Sequence, residues 1–189
     1  MAHVVLFHSM LGLRAVERRA ADLMRAAGHE VVTPDLYAGR TARTLDEGFV
    51  LKDEVVGWAT IAQRGREAVQ DLPPETVLAG ISMGCGVVHE LLPDRPDTGA
   101  VLLLHGVAVI PTTVRAGLPV HLHVADADLL NPPVRVTAWL DATARTPAHP
   151  QLFTYPEGGH FFTDPEQPDH HEPTALRTWQ RALDLLETA

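Results

Sequence analysis

The run Thr76-Val77-Leu78-Ala79-Gly80-Ile81-Ser82-Met83-Gly84-Cys85-Gly86 decides how this chain folds. A short apolar stretch leads straight into Gly80-Ile81-Ser82-Met83-Gly84, a G-x-S-x-G pattern in which serine sits on a sharp turn between strand and helix. A turn that tight strains the serine backbone, so the positions two places either side must be small. It also lifts the serine Oγ above the sheet edge and aims the following N–H groups at the same point. A plain Gly-rich turn that happens to hold serine reads the same way over five residues. The surroundings must decide between the two.

Outward from this turn, strand-like and helix-like segments alternate to both ends. Val4–His8 is a continuous apolar run, as a parallel strand buried on both faces requires. Arg14–Ala27 has apolar residues at helical spacing, with Gly28 placed to end it. His29–Thr33 reads as a strand stopped by Pro34, and Glu47–Gln70 as one helix ended by Leu72-Pro73-Pro74. Thr76–Ile81 is a strand and Ser82–Leu92 a helix. Ala100–His105 and Pro119–Val124 follow as strands, then a helix opened by Pro132 and Pro133 that runs to Thr146. Gln151–Tyr155 and Pro173–Thr188 close the chain as strand and helix. The pattern predicts an α/β fold: a single domain over 1–189, with a doubly wound, mainly parallel six-stranded sheet and helices on both faces. Ligands in such sheets bind beyond the carboxyl ends of the strands.

Composition narrows the classes. The chain has 189 residues, 46% hydrophobic and 21% charged, with a net charge of −9. That balance suits a soluble globular domain and argues against a nucleic-acid partner, which calls for a basic stripe. No apolar run is long enough to cross a membrane, since Val101–Ile110 is interrupted by His105-Gly106. The N-terminus lacks a basic leader and a signal-length apolar run. A single cysteine, Cys85, permits no internal disulfide, and a cytoplasmic location is the expectation.

Serine is a weak nucleophile near neutral pH, so it needs an adjacent base, and the base needs an orienting acid. Both should follow later strands, in the order Ser, Asp, His. After the fifth strand comes Ala125-Asp126-Ala127-Asp128-Leu129-Leu130-Asn131-Pro132, which offers two aspartates. After the sixth comes Gly158-Gly159-His160-Phe161-Phe162, which offers His160. The oxyanion would take the N–H after Ser82, that of Met83, and one from the loop His8-Ser9-Met10-Leu11-Gly12. Ser9, His105, Phe161 and Phe162 are candidates for the pocket wall, although a strand-end histidine such as His105 also commonly bonds to backbone. Cys85 reads as a small packing residue. His121 with His123, and His170 with His171, find no third ligand at metal-binding spacing, so no metal site is expected. Arg14 reads as an exposed helix-start residue, with a substrate carboxylate as the alternative partner.

Taken together, Gly80-Ile81-Ser82-Met83-Gly84, Ala125-x-x-Asp128-x-x-x-Pro132 and Gly158-Gly159-His160-Phe161 resemble the three catalytic segments of the dienelactone hydrolase family of α/β-hydrolases. Pro34-Asp35-Leu36-Tyr37 matches a further stretch common there. The resemblance implies Ser82 as nucleophile, Asp128 rather than Asp126 as acid, His160 as base, and Met10 as the second oxyanion donor. It departs at two places: the founding members use cysteine where Ser82 stands, and carry a loop glutamate where Ser9 stands. A Ser–His pair needs no thiolate switch, so the two departures belong together.

These readings converge on a serine hydrolase that cleaves small carboxylic esters or lactones through an acyl-enzyme, without a cofactor. An acyltransferase or thioesterase with the same three residues is the alternative, as is a non-catalytic interaction protein on the same fold. The short His105–Leu118 connection leaves no room for a helical cap, which predicts an open, shallow pocket. His29–Thr33 should form a sheet edge, where a homodimer contact or a covering segment is expected.

Overall fold

The computed structural model describes residues 1–189. In chain order it contains β1 (His3–Phe7), α1 (Ala15–Ala26), β2 (Glu30–Val32), α2 (Leu45–Val50), a π-helical segment (Leu51–Val56), α3 (Trp58–Val69) and β3 (Val77–Ile81). There follow α4 (Met83–Leu91), a 3₁₀ turn (Leu92–Asp94), β4 (Val101–Leu104), β5 (Pro119–Ala125), α5 (Pro133–Thr143), β6 (His149–Tyr155) and α6 (Glu172–Glu187). The strands form one sheet in the order β2-β1-β3-β4-β5-β6. Every neighbouring pair is parallel. This is the doubly wound α/β sheet expected of an α/β-hydrolase.

Alternate residues of each central strand feed two apolar layers. Val5, Phe7, Leu78, Leu103 and Leu122 pack with Ile61 of α3, Val87 and Leu91 of α4 and Trp139 of α5. Val4, Leu6, Val77, Ala79 and Leu102 pack with Ala21 and Met24 of α1 and Leu185 and Leu186 of α6. Burial on both faces explains why these strands read as unbroken apolar runs rather than alternating ones. β2 lies at an edge of the sheet, and the Arg25 guanidinium donates to its Val31 carbonyl at 2.7 Å.

The region expected as one helix over 47–70 departs from that expectation. It divides at Gly57, whose φ of +81° lies in the left-handed region that favours glycine. Just past the break the Trp58 ring packs on Gly86, where a Cβ would sit 2.8 Å from its Cη2. At the other end Gly48 packs against Met10, with Met10 Cγ and O both 3.0 Å from where its Cβ would be. The segment 45–58 is thus pinned to both sides of the sheet end that carries Ser82. Between β4 and β5 there is no helix, as the shortness of that connection requires.

The topology places the chemistry. From β1 the chain crosses to β2 on one side, then returns to β3 on the other side of β1. The loops leaving β1 and β3 therefore diverge and open a crevice between them. His8–Gly12 leaves β1 and Ser82 leaves β3. His105, Asp128 and His160 follow β4, β5 and β6 at the same end of the sheet.

Candidate active site

Ser82 has φ +52° and ψ −108°, a strained conformation for a residue with a side chain. Its neighbours show why the turn holds. A Cβ on Gly80 would lie 2.4 Å from the Gly84 carbonyl carbon, and one on Gly84 would lie 2.4 Å from the Phe7 carbonyl oxygen. Both contacts are with backbone, which cannot give way. The Ser82 N–H donates to the Leu104 carbonyl at 2.7 Å, tying the turn to β4.

Ser82, His160 and Asp128 form one hydrogen-bonded chain. Ser82 Oγ–H donates to His160 Nε2 at 2.8 Å, and His160 Nδ1–H donates to Asp128 Oδ2 at 2.8 Å. Burial pushes the Asp128 carboxyl up, but donation from His160, from the Asn131 side chain and from the Leu130 N–H outweighs this and holds it below its ordinary value. An ionised Asp128 accepts only, so His160 carries its proton on Nδ1 and offers a lone pair at Nε2. Asp126 is exposed, and the structure places it outside this chain.

The loop that presents His160 is shaped by two glycines and Asp169. A Cβ on Gly159 would meet Asp169 Oδ2 at 2.5 Å, and that oxygen accepts from the Phe161 N–H at 2.9 Å. Sequence reasoning did not find Asp169. It also missed Asn131, whose side-chain NH₂ donates to Asp128 Oδ2 at 2.7 Å and to the His105 carbonyl at 2.9 Å. A signal for Asn131 was present: an aspartate such as Asp128 tends to bond the backbone two residues on, here the Leu130 N–H at 2.8 Å, and the tight turn this makes brings Asn131 beside the same carboxylate.

Met10 and Met83 carry the two candidate oxyanion donors. Met83 is the first residue of α4, so its N–H is one of the helix's unpaired donors. The Met10 N–H meets no acceptor within the chain. Both residues line a cavity of about 280 Å³ together with Ser82 and His160.

The cavity walls differ from the expected ones. His105 lines it as anticipated, but Ser9, Phe161 and Phe162 do not. Ser9 is turned inward, where its hydroxyl donates to the buried Glu17 carboxylate at 3.0 Å. Phe162 packs instead on His105 and Tyr155, and Phe161 on His160. Phe49, Lys52 and Trp58 replace them, all carried by the segment 45–58. Their placement depends on the break at Gly57, which the single-helix expectation missed.

The remaining candidates have structural partners. Cys85 is buried, its thiol donates to the Gly80 carbonyl at 3.2 Å, and burial raises it to about 12, so it stays protonated. His105 is fully buried, pushed down to about 3 by burial, and shares a 2.7 Å hydrogen bond with Thr163. His123 stacks on Phe153 and His121 meets the same ring edge-on, and no group of three or more potential ligands comes together anywhere in the chain. Arg14 pairs with Asp164 and Glu166 rather than facing the cavity. No helix is long and apolar enough to cross a membrane.

Fold and site together define the α/β-hydrolase class, and comparison with known proteins narrows it. The dienelactone hydrolase family model matches residues 1–189, and the chain belongs to that family of hydrolases. Among solved structures, a Klebsiella pneumoniae subsp. pneumoniae protein described as a dienelactone hydrolase superposes with a TM-score of 0.78 at 17% identity. That match covers 100% of this chain and 88% of the other. A dienelactone hydrolase-like promiscuous phosphotriesterase from metagenomic libraries gives 0.77 at 19% identity, covering 99% and 86%. A cold-adapted esterase from an Arctic intertidal metagenomic library gives 0.66 at 18%, covering 98% and 83%. A search of curated protein sequences finds no significant match.

Proposed function

We propose that this protein is a serine esterase that cleaves small carboxylic esters or lactones through an acyl-enzyme. The observation that carries this reading is the Ser82–His160–Asp128 chain, with 2.8 Å at both links, opening on a cavity that also holds Met10 and Met83. His160 Nε2 takes the Ser82 proton as Oγ attacks the carbonyl, and Asp128 keeps the imidazole in the required tautomer and stabilises the imidazolium. The Met83 and Met10 N–H groups receive the oxyanion. His160 returns the proton to the leaving oxygen, then activates a water that releases the acid.

Substrate size follows from the walls. A cavity of about 280 Å³ bounded by Phe49, Trp58 and Leu130 suits an acyl group of a few carbons. The test is steady-state hydrolysis of p-nitrophenyl esters by wild type, Ser82→Ala and His160→Ala. The reading requires turnover by wild type and a loss on the order of 10⁴–10⁶ in each variant, with fold retained. An active Ser82→Ala protein would end it.

A further inference from the structure

We propose that His8 is a positioning residue that aims the Met10 N–H at the oxyanion, by clamping the carbonyl of the same peptide unit. The inference rests on the esterase reading above. His8 follows β1 directly and is completely buried. Its Nδ1–H donates to the Ser9 carbonyl at 2.6 Å, and its Nε2 accepts the Leu36 N–H at 3.1 Å. Both ring nitrogens are therefore used, in one tautomer. Burial pushes His8 down to about 4, so the ring is neutral at working pH and keeps that tautomer.

The Ser9 carbonyl and the Met10 N–H belong to one planar trans peptide and point in opposite directions. Fixing the carbonyl fixes the N–H. A second donor, the Gly12 N–H, holds the same carbonyl at 3.1 Å. The Ser9 side chain adds a pin of its own, donating to Glu17 at 3.0 Å while accepting from the Leu11 N–H at 3.3 Å. All these bonds draw the Ser9 side of the peptide into the protein. The Met10 N–H is left without a protein acceptor beside a cavity that contains Ser82.

The same ring explains the segment Pro34-Asp35-Leu36-Tyr37, whose part in the site the sequence leaves open. Leu36 supplies the N–H that anchors Nε2, and Tyr37 packs edge-on against His8 with ring centroids 4.9 Å apart. The Tyr37 hydroxyl then reaches Met83 Sδ at 3.1 Å. One buried unit thus reaches the Ser9–Met10 peptide through the Ser9 carbonyl and the Met83 side chain through its sulfur. Donors placed before the reaction begins are what make an oxyanion site effective.

The experiment compares His8→Asn, His8→Gln and His8→Leu in the full chain, each checked for folding by thermal unfolding. Asn places its amide near Nδ1 and can still donate to Ser9, whereas Gln reaches only toward Leu36. Leu does neither. Each is assayed with p-nitrophenyl acetate and titrated with a short alkylboronic acid, which adds to serine Oγ as a tetrahedral mimic. The clamp requires kcat in His8→Gln and His8→Leu to fall about 10- to 100-fold, somewhat less than removal of a whole donor. KM should stay within about twofold, boronate affinity should fall in step with kcat, and His8→Asn should recover most of both. Unaltered kcat in a folded His8→Leu protein overturns the clamp and leaves the esterase reading standing. So does a loss that follows thermal stability equally in all three variants. A wild-type protein that neither turns over the ester nor takes the boronate overturns both.

Discussion

Asn131 donates to Asp128 Oδ2 at 2.7 Å with one hydrogen of its side-chain amide and to the His105 carbonyl at 2.9 Å with the other. Asp128 therefore faces His160 across a carboxylate whose orientation is set from β4 as well as from its own turn. Asn131→Leu should leave the fold intact but cost about 1.5–3 kcal/mol of stability, the range for a hydrogen bond to a charged group. The folded-state value of Asp128 lies below its unfolded one, so its contribution is present at neutral pH and lost as pH falls through the folded value. Asn131→Leu should raise that folded value and move the onset of acid unfolding upward, as urea titrations from pH 7 to 3 would show. Identical curves for variant and wild type would contradict this.

Acid stability should be set mainly by the buried histidines outside the Ser82–His160–Asp128 chain. His8 and His121 are pushed down to about 4 and His105 to about 3, in each case chiefly by burial, and His123 well below its ordinary value. Between these values and the unfolded one near ~6.5, the unfolded chain binds more protons than the folded chain, so stability rises with pH. It should be flat above about pH 7 and fall below pH 6, each group contributing up to about 1.4 kcal/mol per pH unit. His123→Phe, placed among Phe153, Tyr155 and Arg181, should reduce the slope. The midpoint of urea unfolding against pH reads it directly, and a slope unaltered by the substitution would count against the argument.

The strain at Ser82 makes a separable prediction. A side chain at φ +52° costs on the order of 1–3 kcal/mol, which glycine does not incur. Ser82→Gly should abolish ester hydrolysis while raising the melting temperature above that of Ser82→Ala. Gly80→Ala should do the reverse of stabilise, because its Cβ would sit 2.5 Å from the Cys85 nitrogen. Differential scanning calorimetry of the three proteins orders them, and equal melting temperatures for the two Ser82 variants would remove the strain argument.

Acyl-chain preference tests the walls. With about 280 Å³ beside Ser82, each methylene beyond a few carbons gains only part of the ~0.8 kcal/mol of full burial. Acetyl and butyryl esters should therefore exceed octanoyl and longer ones in kcat/KM. A steady rise to twelve carbons would refute this.

The sequence discloses the sheet, the turn at Ser82 and the place of His160, because each is written in local pattern: apolar runs, paired glycines, strand ends. Between Asp126 and Asp128 the local pattern leaves the choice open, and only the family resemblance points to Asp128. The sequence does not disclose the His8 clamp, which depends on how separate loops meet in space, nor Asp169, which reaches Phe161 only when the connection after β6 folds back on itself. Leu36 lies 28 residues from His8, a separation that no local pattern encodes. The pocket wall was missed for a different reason. Reading 47–70 as one helix passes over Gly57, where the stretch divides, and with it the placement of Phe49, Lys52 and Trp58 on the cavity wall.

The same contrast governs Asp126 and Asp128. They are two residues apart and equivalent in composition, but Asp128 is buried against His160 while Asp126 is exposed. Asp128→Asn should cost about 10⁴ in kcat. Asp126→Asn should stay within about 0.5 kcal/mol of wild type in stability, as surface changes do, with unaltered turnover. The reverse order in ester hydrolysis would reassign the acid.

The central claim is that Ser82 is the nucleophile, and covalent trapping tests it most directly. The folded protein is treated with a fluorophosphonate, digested, and mapped by mass spectrometry. The account predicts a single stoichiometric adduct on Ser82, absent from Ser82→Ala and strongly slowed in His160→Ala. An adduct on Cys85, or labelling of Ser82→Ala at the wild-type rate, would contradict it.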